Sequence, residues 1–600
     1  MKKRIADIVV ETLIENGITD AFSVVGGGAM HLNNAFALKK EQINTVYNHH
    51  EQACAMAAES YAKLTGKPAA VCVTSGPGGL NTLNGVQGAW VDSIPMIVIA
   101  GHPRLDTTVE ASGLDVRCIG VQENDIVSQI KNITKYAKLV KNPCDVKREV
   151  QRAIDMALEG RRGPSWLSIP LDVQGAMIEE SQLLAAEEPE KKSCVTTDEV
   201  QEVYTRLRQA KRPCILTGSG IRAGAAEDNY RAFLKQVKIP IVGGAFATDA
   251  NYTGEDNYYG MSGSIGPRCG NFILQNADFI LVLGNSLSSS QTGFEGKEFA
   301  PGADIYMVDA QPDEAKKQGL HVTKCICTDL NTFFEKYITV CENEVAASAE
   351  WFDYCNYLNK ELPHYEVLKQ LDGQGETRVH PTQFWKAFLP QIEEDAIIAL
   401  GNSSCIHGIL QEGVLTPKQR VLVNYHSGSM GIDLPYAIGA ATASDAQVYC
   451  VTGDGCVMMN LQELQTIAYH KYNIKLIIFS NQGYDNIRNT CNNYFNGLGN
   501  GCDAASGISM PDFQKVAAAF DLEFHRVKCV AELGDGLKWL KEQTGPCILE
   551  IYEKLNKERA PIVKSILNEE GKFVTPALHI MSPLLDSEVM QGYLKYYEQK

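Results

Sequence analysis

The sequence predicts an α/β protein made of three doubly wound parallel-sheet domains. Three observations carry that expectation. Short apolar runs of strand length alternate with helical segments along most of the chain, the pattern of βα units in a parallel sheet. Two polar stretches, around Glu179 to Ser193 and from about Asn343 to Gly375, interrupt the alternation and read as a charged linker and a helical connector. The chain has 600 residues, 44% hydrophobic and 21% charged, enough for roughly three or four domains with large cores.

The strands follow in order. The first unit carries Ala21–Val25, Thr45–Tyr47, Ala70–Thr74, Met96–Ala100 and Ser165–Ile169. The middle unit carries Pro213–Thr217, Ile239–Val242, Phe279–Leu283 and Ile305–Asp309. The last unit opens near His380-Pro381, carries Ala396–Leu400, Gln447–Thr452 and Lys475–Phe479, and ends near Tyr552. No short-period repeat is visible. The expected boundaries are 1–178, 194–340 and 376–556, with a tail over 557–600.

Composition removes several function classes. A net charge of −17, with no basic run, argues against a nucleic-acid surface. No apolar run approaches the ~18–20 residues of a membrane span. The N-terminal MKKRIADIVVETLIENG carries charges through a helical pattern and lacks a cleavage site, so it does not read as a signal peptide. Eighteen cysteines are scattered, several of them inside apolar strands (Cys72, Cys450, Cys547). They read as reduced, buried thiols of a cytoplasmic protein. Cys325 and Cys327 form the one close pair and lack zinc spacing.

The chemistry concentrates at strand ends. The run Gln447–Thr452 stops at Gly453-Asp454-Gly455, and after a helical segment the run Lys475–Phe479 stops at Ser480-Asn481. Asp454 and Asn481 therefore arrive at the carboxyl edge of a parallel sheet, where ligands of such sheets bind. A carboxylate and an amide oxygen suit Mg²⁺, which takes few protein ligands and completes its shell with phosphate. The glycines allow close backbone approach to a diphosphate. Some 400 residues upstream, Asn48-His-His-Glu51 puts a carboxylate at the start of a helix of small residues. The strand Ala70–Ser75, the turn Gly76-Pro-Gly-Gly79 and Trp90-Val-Asp-Ser-Ile-Pro95 follow it. Glu51 alone would read as a favourable charge at a helix N-terminus.

Together these segments resemble the thiamine diphosphate-dependent enzymes, in particular their acetolactate (acetohydroxyacid) synthase-like branch. The domains are then pyrimidine-binding, middle and diphosphate-binding. The resemblance assigns Mg²⁺ to Asp454, Asn481 and the carbonyl of Gly483, and makes Glu51 the glutamate that activates the cofactor through its pyrimidine N1′. Where the family usually has two Asn, the first is Ser480 here. His426-Ser-Gly-Ser-Met-Gly431-Ile-Asp-Leu-Pro435 resembles the family's GxMGxxLP turn. Met430 then wedges between the cofactor's two rings and the backbone near Gly428 accepts from its 4′-amino group. Core packing is the ordinary fate of a lone Met. Further cofactor contacts fall on Gly76, Gly453, Gly455, Cys456, Gly483 and Tyr484. Asn402, Ser403 and Ser404 follow a strand and are read equally as diphosphate ligands or as a polar loop. Because Glu51 and Asp454 sit in different units, the resemblance implies a homodimer or homotetramer with sites between subunits.

The departures bear on the substrates. The family's FGYPGGAIMP segment is Phe22-Ser-Val-Val-Gly-Gly-Gly-Ala-Met-His31, with Val25 and His31 at proline positions, and the Lys of IPKDVQ is Leu171. Gly483-Tyr-Asp-Asn-Ile-Arg488-Asn-Thr-Cys-Asn-Asn493 is more polar than in the synthases; Arg488 reads equally as a phosphate or carboxylate partner or as a solvated arginine. The combination is similar to a subgroup associated with carbohydrate and polysaccharide biosynthesis, some of whose members add a two-carbon acyl unit to a keto-sugar nucleotide. The expected reaction is decarboxylation of pyruvate or another short 2-oxo acid and carboligation to a carbonyl acceptor, with sugar-derived carbonyls among the candidates. His31, His49, His50 and Gln122 would line the donor pocket, with a helix-start role open for His50. His407 and His426 are left unassigned. An ordinary acetolactate synthase, or a non-decarboxylating lyase or hydrolase using the same cofactor, remains the alternative. Gly218-Ser-Gly220 with Gly224 is only part of a GxGxxG fingerprint, so an NAD site is not expected, and FAD, though possible, is not expected either. A protein that keeps the cofactor fold without catalysis is opposed by the intact Glu51, Asp454, Asn481 and Met430.

Overall fold

The computed structural model describes residues 2–185, 195–362, 377–555, 557, 560–567 and 571–597. They form three α/β domains, each around a six-stranded sheet whose strand pairs are all parallel. The first sheet contains β1 (Asp20–Ser23), β2 (Asn44–Tyr47), β3 (Ala70–Val73), β4 (Met96–His102), β5 (Tyr136–Leu139) and β6 (Pro164–Pro170), in the spatial order β2-β1-β3-β4-β6-β5. The middle sheet contains β7 (Pro213–Thr217), β8 (Ile241–Gly243), β9 (Tyr258–Met261), β10 (Phe279–Leu283), β11 (Asp304–Asp309) and β12 (Lys324–Cys327), in the order β9-β8-β7-β10-β11-β12. The last contains β13 (Ile397–Leu400), β14 (Arg420–Leu422), β15 (Val448–Gly453), β16 (Ile474–Ser480), β17 (Glu523–Val527) and β18 (Cys547–Tyr552), in the order β14-β13-β15-β16-β18-β17.

Counted from its own first strand, the first sheet and the last share one order, 2-1-3-4-6-5. The two outer domains are therefore topological copies, a relation the amino-acid sequence does not display. The middle sheet has the order 3-2-1-4-5-6, that of a dinucleotide-binding α/β fold. Central strands such as β3, β4, β6 and β16 are buried along their whole length, as parallel strands covered on both faces must be.

The outer domains meet through two helices. Glu51–Thr65 lies against Asp433–Ala443 so closely that a side chain on Gly439 would stand 2.1 Å from the Ala57 carbonyl. The small residues Ala53, Ala55, Ala57 and Ala58 permit the approach, and Ser60 Oγ donates to Tyr436 O at 2.6 Å. Gly66, at φ +71°, ends the first helix in the left-handed region that glycine adopts without strain.

Residues Met177–Glu179, at the expected end of the first domain and the start of the expected linker, form a strand antiparallel to Lys2–Arg4. The remainder of that linker, 186–194, and the connector segment 363–376 lie outside the described residues; the connector's helix, Ala349–Glu361, is present. The tail is no loose extension. It runs back along the fully buried helix Arg268–Asn276 of the middle domain, where Asn271 Nδ2 donates to Leu578 O and Asn276 Nδ2 donates to Tyr593 O.

Candidate active site

The site begins where β15 and β16 end side by side. Asp454 follows β15, is fully buried, and accepts from Gly455 N–H at 2.8 Å and Gln482 N–H at 2.5 Å. Burial pushes its carboxyl up to about 7 against the pull of those backbone donors. Asn481 follows β16. Its Nδ2 donates to Glu553 Oε2 at 2.7 Å, and its Oδ1 is buried with no hydrogen-bond partner among the described residues. A buried carbonyl oxygen without a partner is costly unless something outside the chain takes it. Gly483 has φ +154°, and a Cβ there would stand 2.0 Å from the Cys502 carbonyl, so only glycine fits. Likewise a Cβ on Gly455 would strike the Tyr484 ring at 2.4 Å.

These residues open onto a cleft of about 530 Å³. Its walls are Asn402, Ser403, Ser404, Gly428, Met430, Gly453, Asp454, Gly455, Cys456, Asn481, Gly483 and Tyr484, all expected from the sequence, joined by Met459, Asp485, Asn486 and Ile487. Asn402 Nδ2 donates to the carbonyls of Gly428 at 2.7 Å and Ser429 at 2.6 Å, tying the first loop to the turn that carries Met430. Gly428 O keeps its second lone pair. Ser403, at φ +72°, precedes the helix Ser404–Glu412, so a helix N-terminus, the end that favours anions, borders the cleft.

The charge inventory fits a divalent cation bound with a diphosphate. One carboxylate, one partnerless amide oxygen and a strand-end carbonyl offer few, hard oxygen ligands and leave room for phosphate. No cluster of three His, Cys, Asp or Glu side chains suited to a metal occurs among the described residues.

The remaining candidates gather in the first domain, around the carboxyl end of β3. Glu51 Oε2 accepts from Asn81 Nδ2 at 3.0 Å, and Gly78 lies against Glu51 Oε1. Gln122, at φ +61°, packs over Gly76 and accepts from Ser75 Oγ at 3.2 Å. His31 rests against Gly175, in the turn that carries Leu171. His50 caps its helix: Nδ1 accepts from Gln52 N–H at 3.1 Å. His49 contributes its backbone N–H to Glu463 rather than a buried side chain. Glu51, Gln122, His31, His50 and Gly76 are not among the residues that line the cleft.

Arg488, read equally as a phosphate or carboxylate partner or as a solvated arginine, is only slightly exposed. Its guanidinium donates to Asp485 Oδ1 at 3.1 Å and to Asn481 O at 3.3 Å, and lies 3.5 Å from Asp503. It braces Asp485, which lines the cleft. Three contributors were invisible in the sequence. Glu553 and Lys557 stand behind Asn481, and Glu463 holds the segment before Glu51. Lys557 pairs with Glu553 four residues away, but each of the three also has a partner far away in the chain, which no local spacing signals. His426, unassigned from sequence, pairs through Nδ1 with Asp92 Oδ1 at 2.8 Å across the domain junction.

The crevice at the switch point of the middle sheet is small, about 90 Å³, with Gly220, Gly284 and Asp309 in its wall. Arg161 of the first domain reaches over it to Gln311 at 2.9 Å and to Glu314.

Comparison with known proteins agrees with the cleft. Residues 3–124 match the family model for the thiamine pyrophosphate enzyme N-terminal TPP binding domain, 200–336 that of the central domain, and 405–551 that of the C-terminal TPP binding domain. The large subunit of acetolactate synthase isozyme 1 of Escherichia coli (strain K12) is 28% identical over 560 residues, covering 93% of this chain and 95% of that protein. A probable chloroplastic acetolactate synthase 2 of Oryza sativa subsp. japonica is 28% identical over 581 residues, covering 93% and 84%. The isozyme 2 large subunit of E. coli is 27% identical over 553 residues, covering 91% and 95%. No described helix is long and apolar enough to cross a membrane.

Proposed function

The chain belongs to the thiamine pyrophosphate enzyme family, and from that premise we propose that it is a Mg²⁺-dependent carboligase. It decarboxylates pyruvate or another short 2-oxo acid and joins the acyl unit to a second carbonyl compound. The observation that carries this reading is the cleft itself, in which a buried Asp454, a partnerless Asn481 oxygen and the glycine-flanked Met430 converge.

When bound, thiamine diphosphate supplies a carbon nucleophile and an electron sink for decarboxylation. The chain's residues bind and orient it. Asp454, Asn481 Oδ1 and the Gly483 carbonyl would hold Mg²⁺, and the backbone at Ser403 and Ser404 would receive the diphosphate. Met430 and the Gly428 carbonyl would hold the cofactor's rings and its amino group. Glu51, supplied by a second copy of the chain, would hold a proton at its carboxylate for the pyrimidine, general acid–base work that needs hydrogen-bond reach. Two half-sites in one chain are completed by a second copy, which supports a homodimer or a larger even assembly. Gln122 and His31 then face the donor, and His50 serves mainly as a helix cap.

The acceptor is proposed to be polar and hydroxylated, for instance sugar-derived. Leu171 and His31 replace a lysine and a proline of the synthase pattern, and Asn486 and Tyr484 line the mouth of the cleft. The relatives' names favour the second reading, an ordinary acetolactate synthase that uses pyruvate as donor and acceptor. The deciding experiment incubates the protein with thiamine diphosphate, Mg²⁺, pyruvate and a panel of acceptors, following CO₂ release and products by mass spectrometry. No CO₂ release with any 2-oxo acid would sink the decarboxylating reading.

A further inference from the structure

An asparagine amide can face a cation with either end. Oδ1 is a ligand; Nδ2, with its two hydrogens, repels. Which end points into the cleft depends on the partner behind it. Behind Asn481 stands Glu553, just past the end of β18, with no solvent exposure. Its Oε2 accepts from Asn481 Nδ2 at 2.7 Å. The reversed amide would set two oxygens, Asn481 Oδ1 and Glu553 Oε2, at that same separation, and a carboxylate has no proton to resolve the clash. The amide orientation left is the one with Oδ1 turned away from Glu553, where it has no hydrogen-bond partner among the described residues.

The carboxylate is kept in place by a line of alternating charges. Lys557 Nζ lies 2.8 Å from Glu553 Oε1 as an ion pair and donates to Asp485 Oδ2 at 2.7 Å. Asp485 in turn receives Arg488. All four side chains are buried or nearly so, and a buried carboxylate holds its position when it is paired on one side and hydrogen-bonded on the other. The same line braces the helix Asp485–Tyr494, which carries Asn486 and Ile487 into the cleft.

We propose that Glu553, seated by Lys557, is a positioning residue that locks the Asn481 amide with Oδ1 toward the cleft and so makes Asn481 a cation ligand. The inference rests on the Mg²⁺ assignment above. Groups that orient a metal ligand are ordinarily worth 10–100-fold in metal affinity.

The test reads Mg²⁺ affinity without turnover. Thiamine diphosphate binding is followed by calorimetry or tryptophan fluorescence as Mg²⁺ is titrated, with no 2-oxo acid present. Glu553→Gln keeps the size but can donate to Asn481 Oδ1, so both amide orientations become possible. It is expected to weaken Mg²⁺ at least about tenfold. Glu553→Asp, which keeps the charge but loses the reach, provides the same reading if the Gln variant does not fold. The informative background is Asn481→Asp, whose carboxylate offers oxygen from either side and needs no orienting. There Glu553→Gln is expected to cost nothing, or to help by removing a like charge. Equal losses in both backgrounds, or no loss in the native one, overturn the proposal. Asp454→Ala is measured alongside: if it too leaves Mg²⁺ affinity unchanged, the metal assignment itself has failed, whereas loss with Asp454→Ala alone rejects only the role of Glu553.

Discussion

Glu463 and Asn48 stand 415 residues apart in the chain and meet in a buried hydrogen bond, Asn48 Nδ2 donating to Glu463 Oε2 at 2.9 Å. The other carboxylate oxygen accepts His49 N–H at 3.0 Å. The last domain thereby grips the two residues just before His50 and Glu51, and the grip sets where the helix carrying Glu51 begins. Glu463→Ala leaves three donors, Asn48 Nδ2, His49 N–H and Thr466 Oγ1, without this partner, a cost of about 1–3 kcal/mol for each group left buried and unsatisfied. The expected outcome is a lower Tm, together with faster amide exchange across residues 44–51. Unchanged exchange there would mean that Glu463 does not hold this segment.

Asp454→Ala and Asn481→Ala are each expected to weaken Mg²⁺-dependent binding of thiamine diphosphate by about tenfold or more, since either change leaves the cation short of an oxygen ligand. Cofactor titration at fixed Mg²⁺ measures it. Unchanged affinity in both variants removes these residues from the metal site.

Glu51 does not line the cleft of its own chain, so activity should be recoverable by mixing two inactive chains. A hybrid dimer of Glu51→Gln and Asp454→Ala pairs one intact Glu51 half with one intact Asp454 half. Purified through two different tags, it should regain about half the native activity, one site of two. A hybrid as inactive as its parents would rule out a site shared between subunits.

The fold was legible in the sequence wherever strands are central. Ala70–Val73, Pro213–Thr217, Phe279–Leu283 and Ile474–Ser480 are apolar throughout because both faces of the sheet are covered. The strands missed, Tyr136–Leu139, Tyr258–Met261, Lys324–Cys327, Arg420–Leu422 and Glu523–Val527, all lie at sheet edges, where one side is open and lysine, arginine and glutamate are tolerated. The candidate site divides in a similar way. Asp454, Asn481, Gly483 and Met430 are marked by their neighbours in the chain. Glu463, Glu553 and Lys557 gain their main meaning from partners the fold brings to them, and Arg488, with two equal readings in the sequence, is found between Asp485 and Asp503.

Glu412 gives a pH-dependent prediction away from the cleft. Burial pushes its carboxyl up to about 8 from an ordinary 4.5. A folded-state value raised above the unfolded one means stability that is complete below about pH 4.5 and is lost as pH rises toward 8. Glu412→Gln removes that loss. It should leave Tm nearly unchanged at pH 5 and raise stability at pH 8 by about 1–3 kcal/mol, a range reduced for partial exposure. An equal effect at both pH values would contradict the sign.

Acceptor choice separates the two readings of function. A pocket built to hydrogen-bond a polar substrate discriminates strongly against one that leaves its groups unpaired. Pyruvate self-condensation is expected to be detectable but poor, and a hydroxylated or anionic carbonyl acceptor is expected to be preferred in kcat/KM. If pyruvate or 2-oxobutyrate proves best across a panel that includes sugar-derived ketones, the chain is an ordinary acetolactate synthase.

The central claim is that Glu51 activates thiamine diphosphate held in the cleft. Hydrogen–deuterium exchange at the cofactor's C2, with Mg²⁺ and without 2-oxo acid, tests it most directly. The native protein should exchange C2 far faster than free cofactor, while Glu51→Gln should bind the cofactor yet exchange near the free rate. Exchange at the native rate in Glu51→Gln would contradict the account.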